Sequence, residues 1–153
     1  MGLEIERADF ADPRLVAFLR AHLAELAPTA PPESQHALDL PGLQGPGVRL
    51  WVASVDRTIV GTGALAALEP GHEELKSMRT DPARRGQGIA TRILEHLLAD
   101  ARGRGVRRVS LETGSTAFFA PARALYRKAG FVPCPPFGSY VDDPNSVFMT
   151  RTL

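Results

Sequence analysis

Apolar and polar positions alternate from the start of the chain, where Leu3, Ile5 and then Arg7 read as a short strand. Pro13 stands at a helix start, and Leu15, Val16, Leu19, Leu23 and Leu26 recur at the spacing of an amphipathic helix. Val48–Val55 and Thr58–Leu68 are strand-like and separated by Asp56-Arg57, the pattern of a hairpin. Glu74–Thr80 predicts a further strand that ends at Asp81-Pro82. Ile89, Ile93, Leu94, Leu97, Leu98 and Ala101 trace one face of a long helix, halted by Gly103 and Gly105. Val106–Glu112 reads as a strand, Pro121–Lys128 as a helix stopped by Gly130, and Phe131-Val132 and Ser146–Thr150 as two closing strands. Strands before, between and after helices predict an α/β fold, with the β-α-β unit from Glu74 to Glu112 as its parallel centre.

Composition narrows the class. A chain of 153 residues can bury one core but not two ordinary ones. Its 44% hydrophobic and 23% charged content is that of a globular protein. The Pro-rich stretches 27–32 and 41–47 read as loops around a short helix, so one domain over residues 1–153 is expected. Eighteen basic against seventeen acidic side chains leave a net charge of +1, which makes no case for a nucleic-acid partner. A lone cysteine, Cys134, allows no intrachain disulfide and no Cys-rich zinc site, and no metal is expected. The N-terminus Met1-Gly2-Leu3-Glu4-Ile5-Glu6-Arg7 has early acids and no signal-like apolar run, and no stretch is long enough to span a membrane. A cytoplasmic protein with no membrane partner is therefore expected.

The densest chemistry lies at Met78-Arg79-Thr80-Asp81-Pro82-Ala83-Arg84-Arg85-Gly86-Gln87-Gly88-Ile89-Ala90-Thr91. A strand, a loop rich in arginine and glycine, and a helix start follow one another. A helix N-terminus leaves main-chain N–H groups unpaired and partly positive. Glycines let that backbone approach a ligand, and the combination suits an anion, best a phosphate. Walker A fails because no lysine follows the glycines. Gly86-x-Gly88-x-x-Thr91 is a partial dinucleotide fingerprint without its third glycine, with Glu112 at roughly the distance of a ribose-binding acid.

These residues also carry a family resemblance. Arg85-x-x-Gly88-x-Ala90, after a strand and Pro82 and before an amphipathic helix, resembles the acyl-CoA pyrophosphate loop of GNAT-fold N-acetyltransferases. Ala124-Leu125-Tyr126-Arg127-Lys128-Ala129-Gly130-Phe131 resembles that superfamily's Leu-Tyr-x-x-x-Gly-Phe element. The likeness covers Val48–Leu153 well and the first 47 residues loosely. Glu74–Met78, Leu111–Gly114 and the tail around Pro136–Tyr140 and Asp143–Met149 resemble a small bacterial subgroup with undefined acceptors. The resemblance implies the GNAT fold, a mixed central sheet of about six to seven strands flanked by about four helices.

It also implies roles. Main-chain amides of Arg85, Gly86, Gln87, Gly88, Ile89 and Ala90 would hold the pyrophosphate of acetyl-CoA, with the Thr91 hydroxyl adding to them. Met78 and Thr80 would bond the pantetheine arm through their backbone, as an added strand does. Tyr126 would be the general acid for the departing thiolate. Many relatives place Asn seven residues before this tyrosine; Phe119 stands there instead, so packing replaces that contact. For the base, Glu74 is preferred over Glu112, Glu73 and His72, with alternation placing His72, Glu74 and Lys76 on one face and Glu73 on the other. His36, Arg79, Glu112, Phe137 and Tyr140 are candidates for the acceptor pocket. For Arg79, two-fold alternation with Ser77 and Asp81 leaves open whether it faces the pocket or solvent. Cys134, between two prolines, reads as a structural or substrate-lining thiol.

The expected activity is acetyl transfer from acetyl-CoA to a primary amine of a small molecule or amino acid, directly in a ternary complex. The rivals are a protein or peptide N-acetyltransferase and a CoA-binding module without catalysis. Homodimerisation is common in such proteins, though no interface is legible.

Overall fold

The computed structural model describes residues 2–153; Met1, the first residue of the acid-rich N-terminus, lies outside them. One sheet contains β1 (Leu3–Arg7), β2 (Val48–Val55), β3 (Thr58–Glu69), β4 (His72–Thr80), β5 (Arg108–Gly114), β6 (Val132–Pro133) and β7 (Ser146–Thr152). Their order is β1-β2-β3-β4-β5-β7-β6, with β4 and β5 parallel and the other pairs antiparallel. Helices α1 (Pro13–Leu26), α2 (Leu40–Leu43), α3 (Ile89–Gly103) and α4 (Ala120–Lys128) flank it. The expected elements are all present, with ends displaced by a residue or two. The strand expected from Val106 begins at Arg108, because the N–H groups of Arg107 and Arg108 turn aside to Gly71 O.

Each face of the sheet has its own core. On one, Ile89, Ile93, Leu94, Leu97, Leu98 and Ala101 of α3 pack with Val60, Leu65, Leu75, Val109 and Leu111, and α4 adds Tyr126. Six such buried side chains stabilise the helix–sheet packing by about 10 kcal/mol before the entropy of ordering them. β3 lies so close to α3 that a Cβ on Gly63 would stand 2.9 Å from Ile93 and 2.8 Å from Met78. On the other face, Leu15 and Leu19 of α1 and Leu43 of α2 cover Leu50 and Ala64. Asp12 caps α1 by accepting from the Arg14 N–H, with Pro13 in its first turn.

Two irregularities in β4 position the site. Ser77 has φ 54°, and the β3–β4 register slips between Thr62 and Ala64, the signature of a bulge. The extra residue reverses the inside–outside alternation beyond it. Met78 therefore packs toward α3, while Arg79 returns to the face of Lys76, against α1. The second irregularity is divergence. β4 pairs with β5 only from His72 to Leu75, against Arg108 to Leu111, and Lys76–Thr80 part from Glu112–Gly114. β5 continues to pair with β7 through Gly114, so the opening lies on the β4 side alone.

Candidate active site

A cavity of about 280 Å³ fills the gap between the diverging strands. β4 supplies Glu74, Lys76 and Met78 to its wall, β5 supplies Glu112, α4 supplies Tyr126, and the loop between α1 and α2 supplies His36.

Beyond the end of β4 at Thr80, α3 starts without a side-chain cap, at Gly88 in the left-handed conformation (φ 79°). Gly86 has φ 77°, and a Cβ on either glycine would meet nothing within 4 Å. Among the described residues, no acceptor takes the main-chain N–H groups of Gly86 to Thr91. Gly86, Gln87, Gly88 and Thr91 are exposed, whereas Ile89 is buried beneath them as the first core residue of α3. The result is an open cradle of partly positive amides, which fits a phosphate. Arg85 Nη2 reaches back to Glu25 Oε1 of α1 at 2.5 Å. The fit for a long thioester donor is also met upstream, where Met78 and Thr80 lie on the stretch of β4 that has left β5.

Tyr126 is 7% exposed and lies against Phe131, yet lines the cavity. Burial, followed by the charge of Glu112, pushes its phenol above the ordinary tyrosine range, so the hydroxyl keeps its proton. Phe119 closes over Gly114 so tightly that a Cβ there would overlap its ring. Phe119 also lines the cavity.

The cavity wall also carries ionisable groups. Glu74 Oε2 accepts from the Tyr140 hydroxyl at 2.5 Å and from Lys76 Nζ at 3.2 Å. Lys76 Nζ also donates to Tyr140 Oη at 3.0 Å. Burial and the adjacent Glu74 hold the Tyr140 phenol protonated. Burial likewise raises the Glu112 carboxyl, opposed by the nearby Ser146 hydroxyl and by the charges of His36 and Lys76. The Ser146 hydroxyl is close to Glu112, but it is buried without a hydrogen bond of good geometry.

The other sequence candidates divide. Glu73 faces away and forms a two-pronged pair with Arg104 at 2.8 Å, so it is not in the cavity. His72 shares the face of Glu74 but bonds Ser110 Oγ at 2.7 Å and does not line the cavity. His36 lines it and meets Tyr140 edge-on at 4.9 Å. Arg79 faces neither pocket nor solvent: the Ser77 bulge turns it beneath α1, 3.2 Å from Glu25 without a well-aligned hydrogen bond and 5.0 Å above the Phe18 ring. Phe137 does not line the cavity but packs on Tyr140 and Phe148 behind it. Tyr140 does not line the cavity but stands behind its wall, bonded to Glu74 and Lys76 and against His36. Cys134 is half-buried, its thiol pushed up by burial, and it also lies outside the cavity.

Residues outside the sequence candidates also contribute. Ser34 Oγ donates to Asp143 at 2.5 Å and accepts from Asn145 Nδ2 at 3.3 Å, which ties the α1–α2 loop to the β6–β7 loop over the cavity. No local pattern marks that tie. His22 of α1 lines the cavity, and burial, followed by the Arg79 charge, lowers its imidazole to about 4. Its signal was visible: it interrupts the apolar stripe of α1 between Leu19 and Leu26. Among the described residues no group of three or more His, Cys, Asp or Glu side chains could hold a metal ion, and no helix is long and apolar enough to cross a membrane.

The sequence pattern of the acetyltransferase (GNAT) family matches residues 11–131. The uncharacterized N-acetyltransferase YsnE of Bacillus subtilis is 44% identical over 99% of this chain and 100% of its own. The IAA acetyltransferase of Azospirillum brasilense is 42% identical over 92% of this chain and 89% of its own. Among solved structures, a Klebsiella pneumoniae protein with a provisional assignment as an acyl-CoA N-acyltransferase superposes with a TM-score of 0.78 at 29% identity, covering 99% of this chain and 98% of its own. A Bacillus subtilis acetyltransferase in complex with CoA shares the fold, with a TM-score of 0.70 at 14% identity over 99% of both chains.

Proposed function

Because the chain belongs to the acetyltransferase (GNAT) family, whose members use acetyl-CoA, we propose that it is a cytoplasmic enzyme, one catalytic domain over residues 1–153, that acetylates a primary amine of a small molecule or amino acid. The observation that carries this reading is the cavity between the diverging strands, with a buried tyrosine and ionisable groups in its wall, on a fold whose β4 runs on into a turn of free amides. A cavity of about 280 Å³, roofed by two tied loops, suits a small acceptor better than a peptide.

On this reading the amides of Arg85 to Ala90, with the Thr91 hydroxyl, hold the donor's diphosphate. The backbone of Met78 and Thr80 aligns its pantetheine arm, and a main-chain N–H there meets the negative charge that develops on the thioester oxygen. Acetyl-CoA supplies the activated acyl group. The acceptor nitrogen attacks it directly, since no side chain in the cavity is an activated nucleophile. Tyr126 donates its proton to the leaving sulfur, and a cavity carboxylate, Glu74 or Glu112, relieves the ammonium of its proton.

The test is a panel of amines and peptides incubated with acetyl-CoA, read as free thiol release and product mass. A small amine as best acceptor, with intersecting double-reciprocal lines, supports the proposal. Parallel lines, or an acetyl group trapped on Cys134, overturn it. Tyr126→Phe should lower turnover about 10- to 100-fold while acetyl-CoA affinity, measured by titration calorimetry, stays within about twofold.

A further inference from the structure

The two carboxylates of the cavity are not in the same state. Glu74 is saturated on one oxygen: Oε2 takes both the Tyr140 hydroxyl and the Lys76 ammonium, and its side chain is only 8% exposed. Placing a proton on Glu74 would strip the buried Lys76 of its counter-charge, which is costly away from water. Glu112 has neither restraint. Among the described residues no cation lies within ion-pairing distance of it, and its carboxylate makes no well-formed hydrogen bond. The charged and titratable groups around it are His36 from the α1–α2 loop, Glu74 and Lys76 from β4, Tyr126 from α4 and Tyr140 from the β6–β7 loop. Of these groups, the Lys76 ammonium already serves Glu74. A half-buried carboxylate that faces a cavity and lacks a positive partner is complemented by a ligand that brings one.

We propose that the carboxylates divide the labour: Glu112 seats the acceptor's ammonium group and takes its proton, while Glu74 remains ionised and positions Lys76 and Tyr140. The preference for Glu74 as base is thereby replaced. The inference rests on the acetyl-transfer reading for its chemistry, but the pairing of Glu112 with an alkylammonium ion stands apart from turnover.

The step balances as follows. R–NH₃⁺ gives one proton to the Glu112 carboxylate and becomes R–NH₂. Its lone pair forms the N–C bond at the thioester carbonyl, and the C–S electron pair leaves with sulfur. Sulfur takes the Tyr126 proton. The nitrogen's second proton replaces the one Tyr126 gave, and the proton on Glu112 passes to water. The raised proton affinity of Glu112 favours the first transfer.

The decisive experiment uses the full chain labelled with carbon-13 at glutamate side-chain carboxyls, assigned through the backbone and titrated with n-propylammonium chloride. A saturable shift of the Glu112 signal, with the Glu74 signal still, supports the proposal. Movement of Glu74 without Glu112, or of neither, overturns it, and this readout needs no turnover. If no amine is acetylated while Glu112 still responds, the enzymatic reading fails and the ammonium site stands. With the best acceptor, Glu112→Gln should lower kcat/KM by about 100-fold or more and erase the acid limb of its pH profile. Glu74→Gln should keep that limb and raise chiefly the acceptor KM. The opposite pattern overturns the assignment.

Discussion

From Gly86 to Thr91 the turn into α3 presents main-chain amides, whereas the cavity wall presents side chains from β4, β5, α1 and the two loops tied over it. The two ends are thus made specific in different ways. Amides at a helix start recognise a phosphate whatever side chains accompany them, so the loop suits a donor that is constant across a family. The far wall recognises by charge and placement: a neutral imidazole at His22, a carboxylate locked to Lys76 and Tyr140, and a second carboxylate left free. Substituting one of its residues should change which amine is accepted without touching the donor.

The largest effect expected is at the donor end. Gly88→Glu forces a side chain into the left-handed region and sets a carboxylate at the mouth of the amide cradle. A β-carbon there meets nothing in the fold, so the protein should stay folded while the strain alone costs about 1–2 kcal/mol. With charge repulsion added, acetyl-CoA affinity by calorimetry should fall at least about 100-fold. The response of Glu112 to propylammonium should survive. If it too is lost, the ends are not independent.

An intermediate effect concerns pH. The His22 imidazole sits near 4 in the fold against 6.5 when free, so below pH 6.5 the unfolded chain binds more protons than the native one. Its contribution is therefore fully present above pH 6.5 and is lost as pH falls toward 4. The loss should be on the order of 2 kcal/mol, allowing for partial exposure. Urea midpoints of the wild type and His22→Gln, compared from pH 7 to pH 4, should converge as pH falls. Parallel curves would show that His22 is not held neutral.

The smallest effect belongs to the tie between the loops. Ser34→Ala removes the bond to Asp143, and acceptor KM should rise about three- to tenfold with acetyl-CoA affinity unmoved. Steady-state kinetics with each substrate varied in turn would separate the two constants.

The donor end was legible in the sequence because its signal is local: Gly86 and Gly88 directly precede the apolar stripe of α3, and Tyr126 stands four residues before Gly130. The far wall was legible only as a set of residue types. Its pairs join positions far apart in the chain, such as Glu74 with Tyr140 and Ser34 with Asp143, and no periodicity records such contacts. Arg79 shows a third limit. Counting by twos along β4 leaves its direction open, and one bulged residue at Ser77 decides it.

That bulge also sets the phase of the last residues of β4. Flattening the strand with Ser77 still in it would carry the Arg79 guanidinium into the hydrocarbon around Ile93 and Leu97 and turn the Met78 thioether toward Glu25, whereas deleting Ser77 leaves both on their present sides. A loss of one residue next to Ser77 is therefore absorbed by closing the bulge, with Arg79 still opposite Thr62. Length variation among functional descendants of this chain should fall in the hairpin loops or at this one residue, and leave Met78 and Arg79 on their own sides.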